Sequence, residues 1–286
     1  MSVPHAISFD VEEYFQVANL RQQFPKADWD AIAPRLDVGM ERILAALERH
    51  GARATFFFLG WIAERHPRWV ERCLEAGHEV ASHGYDHDFL WDLGPEGAAA
   101  DLARTEAALA AAGAPRPRGF RASTFTLTER TLWAFDLLVE RGYTYDSSVH
   151  PVIHPTYGIA DFDPDISRIQ RDGGSLVEFP VTTRRVLGRN LPMGGGGYFR
   201  LYPGAVIRSA VRALERQGRS ACIYLHPWEF DPDQPRVKTS ALKGFRHYVG
   251  LDKTLARLEA LLAAHRFVGL EEVLVERGLV AGRAAG

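Results

Sequence analysis

The apolar run Ala54-Thr-Phe-Phe-Phe-Leu59 has the length and composition of a strand that is buried on both faces, which is typical of parallel sheets. Residues 62–76 follow with a helical pattern that ends at Gly77, and residues 78–82 form a second short strand. A strand, a helix and a strand in this order make a βα unit. Such units build a mostly parallel sheet.

The same alternation extends over the rest of the chain. The patterns predict further strands at residues 5–10, 119–121, 143–145, 177–181, 221–225 and 267–270, and further helices at 37–50, 95–112, 129–141, 203–217 and 251–265. Asp37 is the expected N-cap of the first helix. About seven or eight βα units in 286 residues favour a single α/β barrel domain over an open doubly wound sheet.

Composition and charge narrow the classes of function. The formal net charge of −2 indicates neither nucleic acid nor an anionic membrane as a partner. Cys73 and Cys222 lie in apolar patterns and predict no disulfide framework. No signal-peptide pattern is visible, and no apolar run is long enough to span a bilayer. The sequence therefore predicts a soluble, cytoplasmic protein.

Two stretches interrupt the alternation of strands and helices. Residues 147–175 are rich in Pro, Asp and His without a clear period, and residues 192–199 contain Gly194-Gly-Gly-Gly197. Both are predicted to be long loops, which often carry function in compact domains. The glycine run lacks the spacing of a phosphate-binding loop.

Polar residues stand at or just after the ends of several predicted strands. In a barrel, the carboxyl ends of the strands converge on the face that carries the active site. The sequence therefore predicts that these side chains share one site. They are Asp10, His83, His87, Arg121, Asp146 and His226.

Part of this set has the composition of a metal site. His83 and His87 are four residues apart and share one face if their segment forms a helical turn. In an extended segment, the side chains of Asp10 and Glu12 point to the same side, so Glu12 can supply the carboxylate ligand of this site. Glu13 is the alternative ligand. Three protein ligands with open positions can hold an activated water, which indicates hydrolysis. The same ligands also describe non-haem iron oxygenases, whose sites usually lie on β-sandwiches.

Arg121 and His226 of the strand-end set, together with Trp228, complete the candidate site. Arg121 ends an apolar strand, and a buried arginine requires a carboxylate, for which Asp10 is the natural partner. His226 stands at a strand end that the following proline marks. Trp228 is either a flat aromatic surface for a ligand or a residue at the rim of the core.

At these residues the sequence resembles the NodB-type polysaccharide deacetylases, carbohydrate esterase family 4. Within them it is most similar to the branch associated with exopolysaccharide biosynthesis and the PEP-CTERM/exosortase systems. The similarity spans nearly the whole chain in a specific motif order. The matching segments are Ser8-Phe-Asp-Val-Glu-Glu-Tyr-Phe15, Ser82-His-Gly-Tyr-Asp-His87, Phe120-Arg-Ala-Ser-Thr-Phe125, Tyr145-Asp-Ser-Ser148, Gly194-Gly-Gly-Gly-Tyr-Phe-Arg200, Leu225-His-Pro-Trp-Glu229 and Phe245-Arg-His-Tyr-Val-Gly-Leu251.

The resemblance implies a distorted (β/α)7 barrel over residues 1–286, with a family-specific extension from about residue 230. It also implies one divalent metal, most often zinc. The usual family motif has two adjacent aspartates, whereas here Val11 separates the two acids. The implied roles are those of catalytic base for Asp10, metal ligands for Glu12, His83 and His87, orientation of the base for Arg121, and general acid for His226. The tuning of the acid histidine is given to Asp146, although the family's usual aspartate for this role lies in a different local motif.

The reaction implied by the resemblance is de-N-acetylation of N-acetylated amino sugars in a polysaccharide or its biosynthetic intermediate. Tyr14, Trp228 and the 194–200 loop are expected to line the sugar groove, and Asp146 is counted with the substrate-binding residues. The alternatives are a cyclic amide or imide hydrolase of the same fold and a non-catalytic glycan-binding relative. The glycan, the physiological metal and the oligomeric state stay open at this point.

Overall fold

The protein is described by a computed structural model for residues 3–154 and 156–283. The strands of this part are β1 (His5–Val11), β2 (Thr55–Phe58), β3 (Glu79–Ser82), β4 (Gly119–Phe120), β5 (Tyr145–Asp146), β6 (Ser167–Arg171), β7 (Gly174–Glu178), β8 (Thr183–Val186), β9 (Arg189–Pro192), β10 (Cys222–Leu225) and β11 (Phe267–Val268). The α-helices are α1 (Leu36–Arg49), α2 (Gly60–Arg65), α3 (Pro67–Glu75), α4 (Leu90–Ala111), α5 (Ala134–Glu140), α6 (Gly196–Leu201), α7 (Gly204–Glu215), α8 (Ala241–Tyr248), α9 (Thr254–Leu262) and α10 (Leu270–Glu276).

The main sheet has the strand order β10-β1-β2-β3-β4-β5-β7-β6, with β11 also paired to β1. All of these pairings are parallel except β6 with β7. The prediction of an α/β fold with a mostly parallel sheet is therefore confirmed. β1 and β2 are buried at every position, as continuous apolar runs flanked by helices require.

The two ends of the parallel path approach each other beyond β7. The Thr182 amide donates to the Cys222 carbonyl, and the Tyr224 amide donates to the Gly194 carbonyl. Gly195 passes so close to β10 that a Cβ atom there would lie 1.8 Å from the Tyr224 carbonyl oxygen. The glycine run is therefore required for close backbone packing beside the strand that precedes His226.

The N-terminus of α1 differs from the expected arrangement. The helix begins at Leu36, and Asp37 does not cap it. The Glu13 carboxylate instead accepts hydrogen bonds from the Arg35 and Leu36 amides at 2.8 and 2.9 Å. Asp37 accepts from the indole of Trp69 at 2.9 Å. A carboxylate distant in sequence can satisfy free helix amides as well as a local cap can.

One predicted helix is divided, and two predicted loops contain regular structure. Pro67 begins a new helix within the 62–76 segment, whereas the break in α4 at Gly94, with a φ of 65°, lies just before the predicted 95–112 helix. The 147–175 segment includes β6, and the 192–199 segment includes the first turns of α6. These elements were missed because β6 has mostly polar residues and no buried position.

Candidate active site

Three of the expected ligands lie together. Atoms of Glu12, His83 and His87 that can ligate a metal lie within 4.8 Å of one another, and all three residues are buried. Nδ1 of His83 lies 2.8 Å from the Arg121 carbonyl oxygen. This contact places the ring proton on Nδ1 and leaves the lone pair of Nε2 free, as a metal ligand requires.

The histidines do not share a helical turn as predicted. The segment between β3 and α4 is irregular, and His87 adopts a left-handed conformation with a φ of 57°. The backbone of this segment is held by α2, because the amides of Gly60 and Trp61 donate to the carbonyls of Gly84 and Tyr85. The two imidazoles meet through this loop geometry, with ring centroids 5.5 Å apart.

Glu12 and Glu13 have different positions. Oε2 of Glu12 lies 2.9 Å from Nε2 of His87, while Oε1 accepts from the Trp228 indole at 3.0 Å. Burial would raise the pKa of Glu12, but His87 and then His226 and His83 lower it to about 2. Since Glu13 is engaged in capping α1, the geometry brings Glu12 alone of this pair to the histidines.

Arg121 contacts Asp10, as expected. Nη1 of Arg121 donates to Oδ1 of Asp10 at 2.6 Å and to the Ser8 hydroxyl at 2.8 Å. The other guanidinium nitrogens donate to the carbonyl and hydroxyl of Ser147 at 3.0 and 2.9 Å. The arginine is fully buried, so these contacts fix the orientation of the Asp10 carboxylate.

The cluster of Glu12, His83 and His87 is called the ligand triad below. His226 lies beside this triad and the Asp10 carboxylate. Its Nε2 is 3.9 Å from Oδ2 of Asp10 and 3.7 Å from Oε1 of Glu12. Its Nδ1 lies 2.6 Å from Oε1 of Glu229. Burial would lower the pKa of His226, but the hydrogen bond to Glu229 and the surrounding carboxylates raise it to about 9.

A buried arginine stands behind Glu229. Nε of Arg200 donates to Oε2 of Glu229 at 2.6 Å, and its Nη atoms donate to the carbonyls of Arg246, His247 and Val249. Sequence analysis did not assign roles to Glu229 or Arg200, although both lie in the quoted motifs. The i to i+3 spacing of His226 and Glu229 was the available signal, and they form a capping box across a short 3-10 helix.

Asp146 and Tyr14 do not border the cavity as expected. The Asp146 carboxylate accepts from the amide and hydroxyl of Ser148 at 3.0 and 2.6 Å, and Glu229 is the partner of His226 instead. Tyr14 is buried against Phe15 and Phe24. The strand-end rule does not specify which side chains point inward, which explains Asp146, whereas the expectation for Tyr14 came from the family resemblance.

The cavity over the triad has a volume of about 560 Å3. Asp10, Glu12, both triad histidines and His226 all contribute to its lining. The 194–200 loop takes part as predicted, through Gly196, Gly197, Tyr198 and Arg200. Trp228 also borders the cavity, but it is stacked between His226 and His247, with centroids 5.2 and 4.4 Å away.

A second cluster of possible ligands lies at the other end of β1. It consists of His5, Glu215 and His265. The Ala221 amide donates to Nδ1 of His5 at 3.0 Å, so the neutral ring carries its proton on Nε2. His5 therefore lacks a lone pair for a metal, and the Glu12 cluster has the better set of donors.

Parts of the chain are similar to known proteins. Residues 30–144 match the family model described as polysaccharide deacetylase, and residues 147–275 match a domain of unknown function, DUF3473. A peptidoglycan deacetylase-like protein of Gibberella zeae is 31% identical over 114 residues, which are 39% of this chain and 33% of that protein. A peptidoglycan-N-acetylglucosamine deacetylase of Bacillus cereus is 27% identical over 124 residues, covering 39% of this chain and 45% of the relative. The chain thus covers less than half the length of either relative.

The fold has a counterpart among solved structures. A candidate polysaccharide deacetylase from Mycobacterium smegmatis superposes with a TM-score of 0.63 at 19% identity, over 100% of this chain and 99% of the other. The two matched segments of this chain share one sheet, because it contains β2, β3 and β4 from residues 30–144 and β6, β7, β10 and β11 from residues 147–275. Residues 30–144 thus match the polysaccharide deacetylase family, the NodB type of carbohydrate esterase family 4, and the chain as a whole shares the fold of the Mycobacterium smegmatis structure.

Proposed function

We propose that the protein is a metal-dependent hydrolase that removes N-acetyl groups from amino sugars of a polysaccharide or its biosynthetic intermediate. The observation that carries this proposal is the buried Glu12, His83 and His87 cluster with Asp10 and His226 beside it, all bordering one cavity. The family match and the relatives named as peptidoglycan deacetylases support the same reaction class.

The donor set fits one divalent ion, and zinc is the metal we propose. Two neutral imidazoles and one carboxylate are a common catalytic zinc set, which leaves a position for water or substrate. Oε2 of Glu12, the free Nε2 of His83 and Nε2 of His87 are the atoms that would bind it. When bound, the ion would polarise the acetamide oxygen and make the attacking water more acidic.

Asp10 is the residue that would accept the proton of that water. Its Oδ1 is occupied by Arg121, so Oδ2 is the oxygen that remains toward His226 and the cavity. The buried guanidinium favours the ionised carboxylate, which is the form that a general base needs. Arg121 therefore acts through Asp10 and needs no contact with the substrate.

His226 is the residue that would protonate the leaving amine. Its raised pKa keeps the imidazole protonated at neutral pH, and the bond to Glu229 on Nδ1 leaves Nε2 to face Asp10 and Glu12. The carboxylate of Glu229 is in turn held by Arg200. Acid and base thus lie on the same side of the site as the ligands, within reach of one acetamide group.

A glycan is the substrate class that we propose for the cavity. Its volume is in the usual range for ligand sites, and its walls include the aromatic side chains of Phe89, Tyr157 and Tyr198. Aromatic faces pack against the apolar faces of pyranose rings, while the polar groups at the triad would select the acetamide. We also propose that the protein acts in the cytoplasm.

The test is acetate release from N-acetylglucosamine oligomers by protein stripped of metal and then supplied with zinc. We expect zinc-dependent release that Glu12→Gln abolishes together with stoichiometric zinc binding. Glu13→Gln is the matched control, because burial raises the pKa of Glu13 to about 7 and an amide oxygen can still accept from the α1 amides.

Asp10→Asn separates the base from the metal site. We expect this variant to bind zinc normally and to lose acetate release. Full activity in Asp10→Asn would remove the base role. Release from small cyclic amides but from no glycan, by fully loaded protein, would replace glycan deacetylation with the cyclic amide alternative.

A further inference from the structure

The β8–β9 hairpin differs from the rest of the fold. It forms a two-stranded sheet of its own, and its turn contains Leu187 and Gly188 with φ values of 48° and 79°. The side chain of Leu187 is 100% exposed. A leucine is uncommon at a positive φ, and a fully exposed leucine side chain is unfavourable in water. Within the described residues, no packing contact explains a leucine at this turn.

The hairpin is also strongly basic. Arg184, Arg185 and Arg189 are exposed, and among the described residues none of them forms an ion pair. Residues 179–214 contain six arginines and no aspartate or glutamate, whereas the whole chain has a net charge of −2. The bulk charge therefore conceals a local positive region.

The hairpin is joined to the rest of the fold beside the cavity. Its chain leaves from the carboxyl end of β7 and returns to Gly194, two residues before Gly196, which lines the cavity. The carboxyl ends of the parallel strands also bear Asp10 and His226. The base of the hairpin therefore lies close to the candidate site.

Exposed apolar side chains concentrate in the hairpin and around the cavity. Of the nine large hydrophobic residues that are exposed in the described part of the chain, three belong to the hairpin, three line the cavity and one adjoins the lining residue His154. These seven are Val186, Leu187, Leu191, Leu201, Leu242, Phe245 and Ile153. Single apolar residues on a surface need no explanation, but three in one hairpin beside unpaired arginines do.

We propose that the β8–β9 hairpin docks onto an anionic lipid bilayer, with Leu187 in the headgroup region and the hairpin arginines on lipid phosphates. An apolar tip flanked by guanidinium groups is the composition that interfacial segments use. A nucleic acid would match the arginines but not Leu187. None of the described helices has the length and hydrophobicity of a membrane-spanning segment, so the association would be peripheral.

Docking through the hairpin, whose base adjoins the cavity, would bring the candidate site close to glycans carried at the bilayer surface. This consequence rests on the proposed deacetylase function, but the docking itself does not. The two are therefore tested by separate measurements.

The test is co-sedimentation of the full chain with vesicles of phosphatidylcholine, alone or with phosphatidylglycerol at about one part in three. We expect binding to the anionic vesicles only, and release at high salt. Arg184→Gln with Arg185→Gln should weaken binding about 25-fold, since each surface arginine contributes roughly fivefold. Leu187→Ser should weaken it about tenfold through lost apolar burial.

Arg53→Gln with Arg266→Gln is the matched control. It removes the same charge at residues that precede β2 and β11, at the amino ends of the strands. Binding that is unchanged in this control and weakened in the hairpin variants supports the proposal. Absence of wild-type binding, equal binding to neutral vesicles, or equal loss in the control would overturn it. Acetate release from soluble oligomers, which the hairpin variants should retain, reports separately on the deacetylase function.

Discussion

Replacing Trp228 by phenylalanine tests how the structure holds the carboxylate of the metal site. The indole Nε1 donates to Oε1 of Glu12 at 3.0 Å, while the ring is stacked between His226 and His247. Phenylalanine preserves an aromatic ring in the stack and removes only the donor. The sequence suggested a sugar-stacking role for Trp228, so the variant also separates these two interpretations.

The expected magnitude follows from the type of bond and its burial. A hydrogen bond to a charged group contributes about 1.5–3 kcal/mol. Glu12 is 2% exposed, so water has little access to replace the lost donor. The low pKa of Glu12, about 2, is caused by the neighbouring histidines, so the carboxylate stays ionised in the variant and only its orientation is lost. We expect zinc affinity to fall about 10- to 100-fold.

The assay is zinc competition against a chromophoric chelator, with a thermal melt to verify folding. Trp69→Phe is the matched control, because its indole also donates to a carboxylate, Asp37, at 2.9 Å but remote from the triad. Unchanged zinc affinity in Trp228→Phe would refute the reasoning, as would an equal loss in Trp69→Phe. Weaker acetate release with unchanged zinc affinity would return Trp228 to a role in substrate binding.

Three more variants test other parts of the site and the fold. Glu229→Gln removes the carboxylate that raises the pKa of His226 to about 9, so the alkaline limb of the pH–rate profile for acetate release should shift to lower pH, with about 100-fold lower kcat. Arg121→Met leaves Asp10 buried without its partner and should lower the free energy of unfolding in urea by about 3–5 kcal/mol. His150→Phe should reduce acid sensitivity, since burial lowers the pKa of His150 to about 3 and neither ring nitrogen has a described partner. The unfolded chain takes up this proton below about pH 6.5, so wild type should lose about 2 kcal/mol more than the variant between pH 7 and pH 5.

Each of these expectations has an outcome that contradicts it. An unshifted alkaline limb in Glu229→Gln would show that another group sets that limb. Arg266→Met is the surface control for Arg121→Met and should cost less than about 1 kcal/mol, so equal losses would argue against a special buried pair. Parallel pH dependence of unfolding in wild type and His150→Phe would show that His150 is protonated in the folded state.

The parallel sheet and its strands were predictable because burial on both faces produces continuous apolar runs. β2 is the clearest example, since all four of its residues are buried. The pairing of Arg121 with Asp10 was predictable for a similar reason, because a guanidinium at the end of an apolar strand requires a carboxylate in a dry interior. These inferences depend on local pattern and residue chemistry alone.

Other features depend on contacts between distant segments. Glu13 caps α1 across a separation of 22 residues, and Arg200 reaches Glu229 across 29. The hairpin β8–β9 has no buried face to impose a period, so its pattern predicted only a loop. These contacts depend on how helices and loops pack around the carboxyl ends of the parallel strands.

The residue types of the site, the order of its strands and their common carboxyl edge were determined by the sequence, because hydrophobic period and chain direction are local properties. The tertiary structure alone shows that Glu12 meets the histidines, that Glu229 contacts His226 and that Tyr14 is buried. The physical reason is that these choices depend on side-chain direction at a loop or strand end, where a change of one residue exchanges inside for outside.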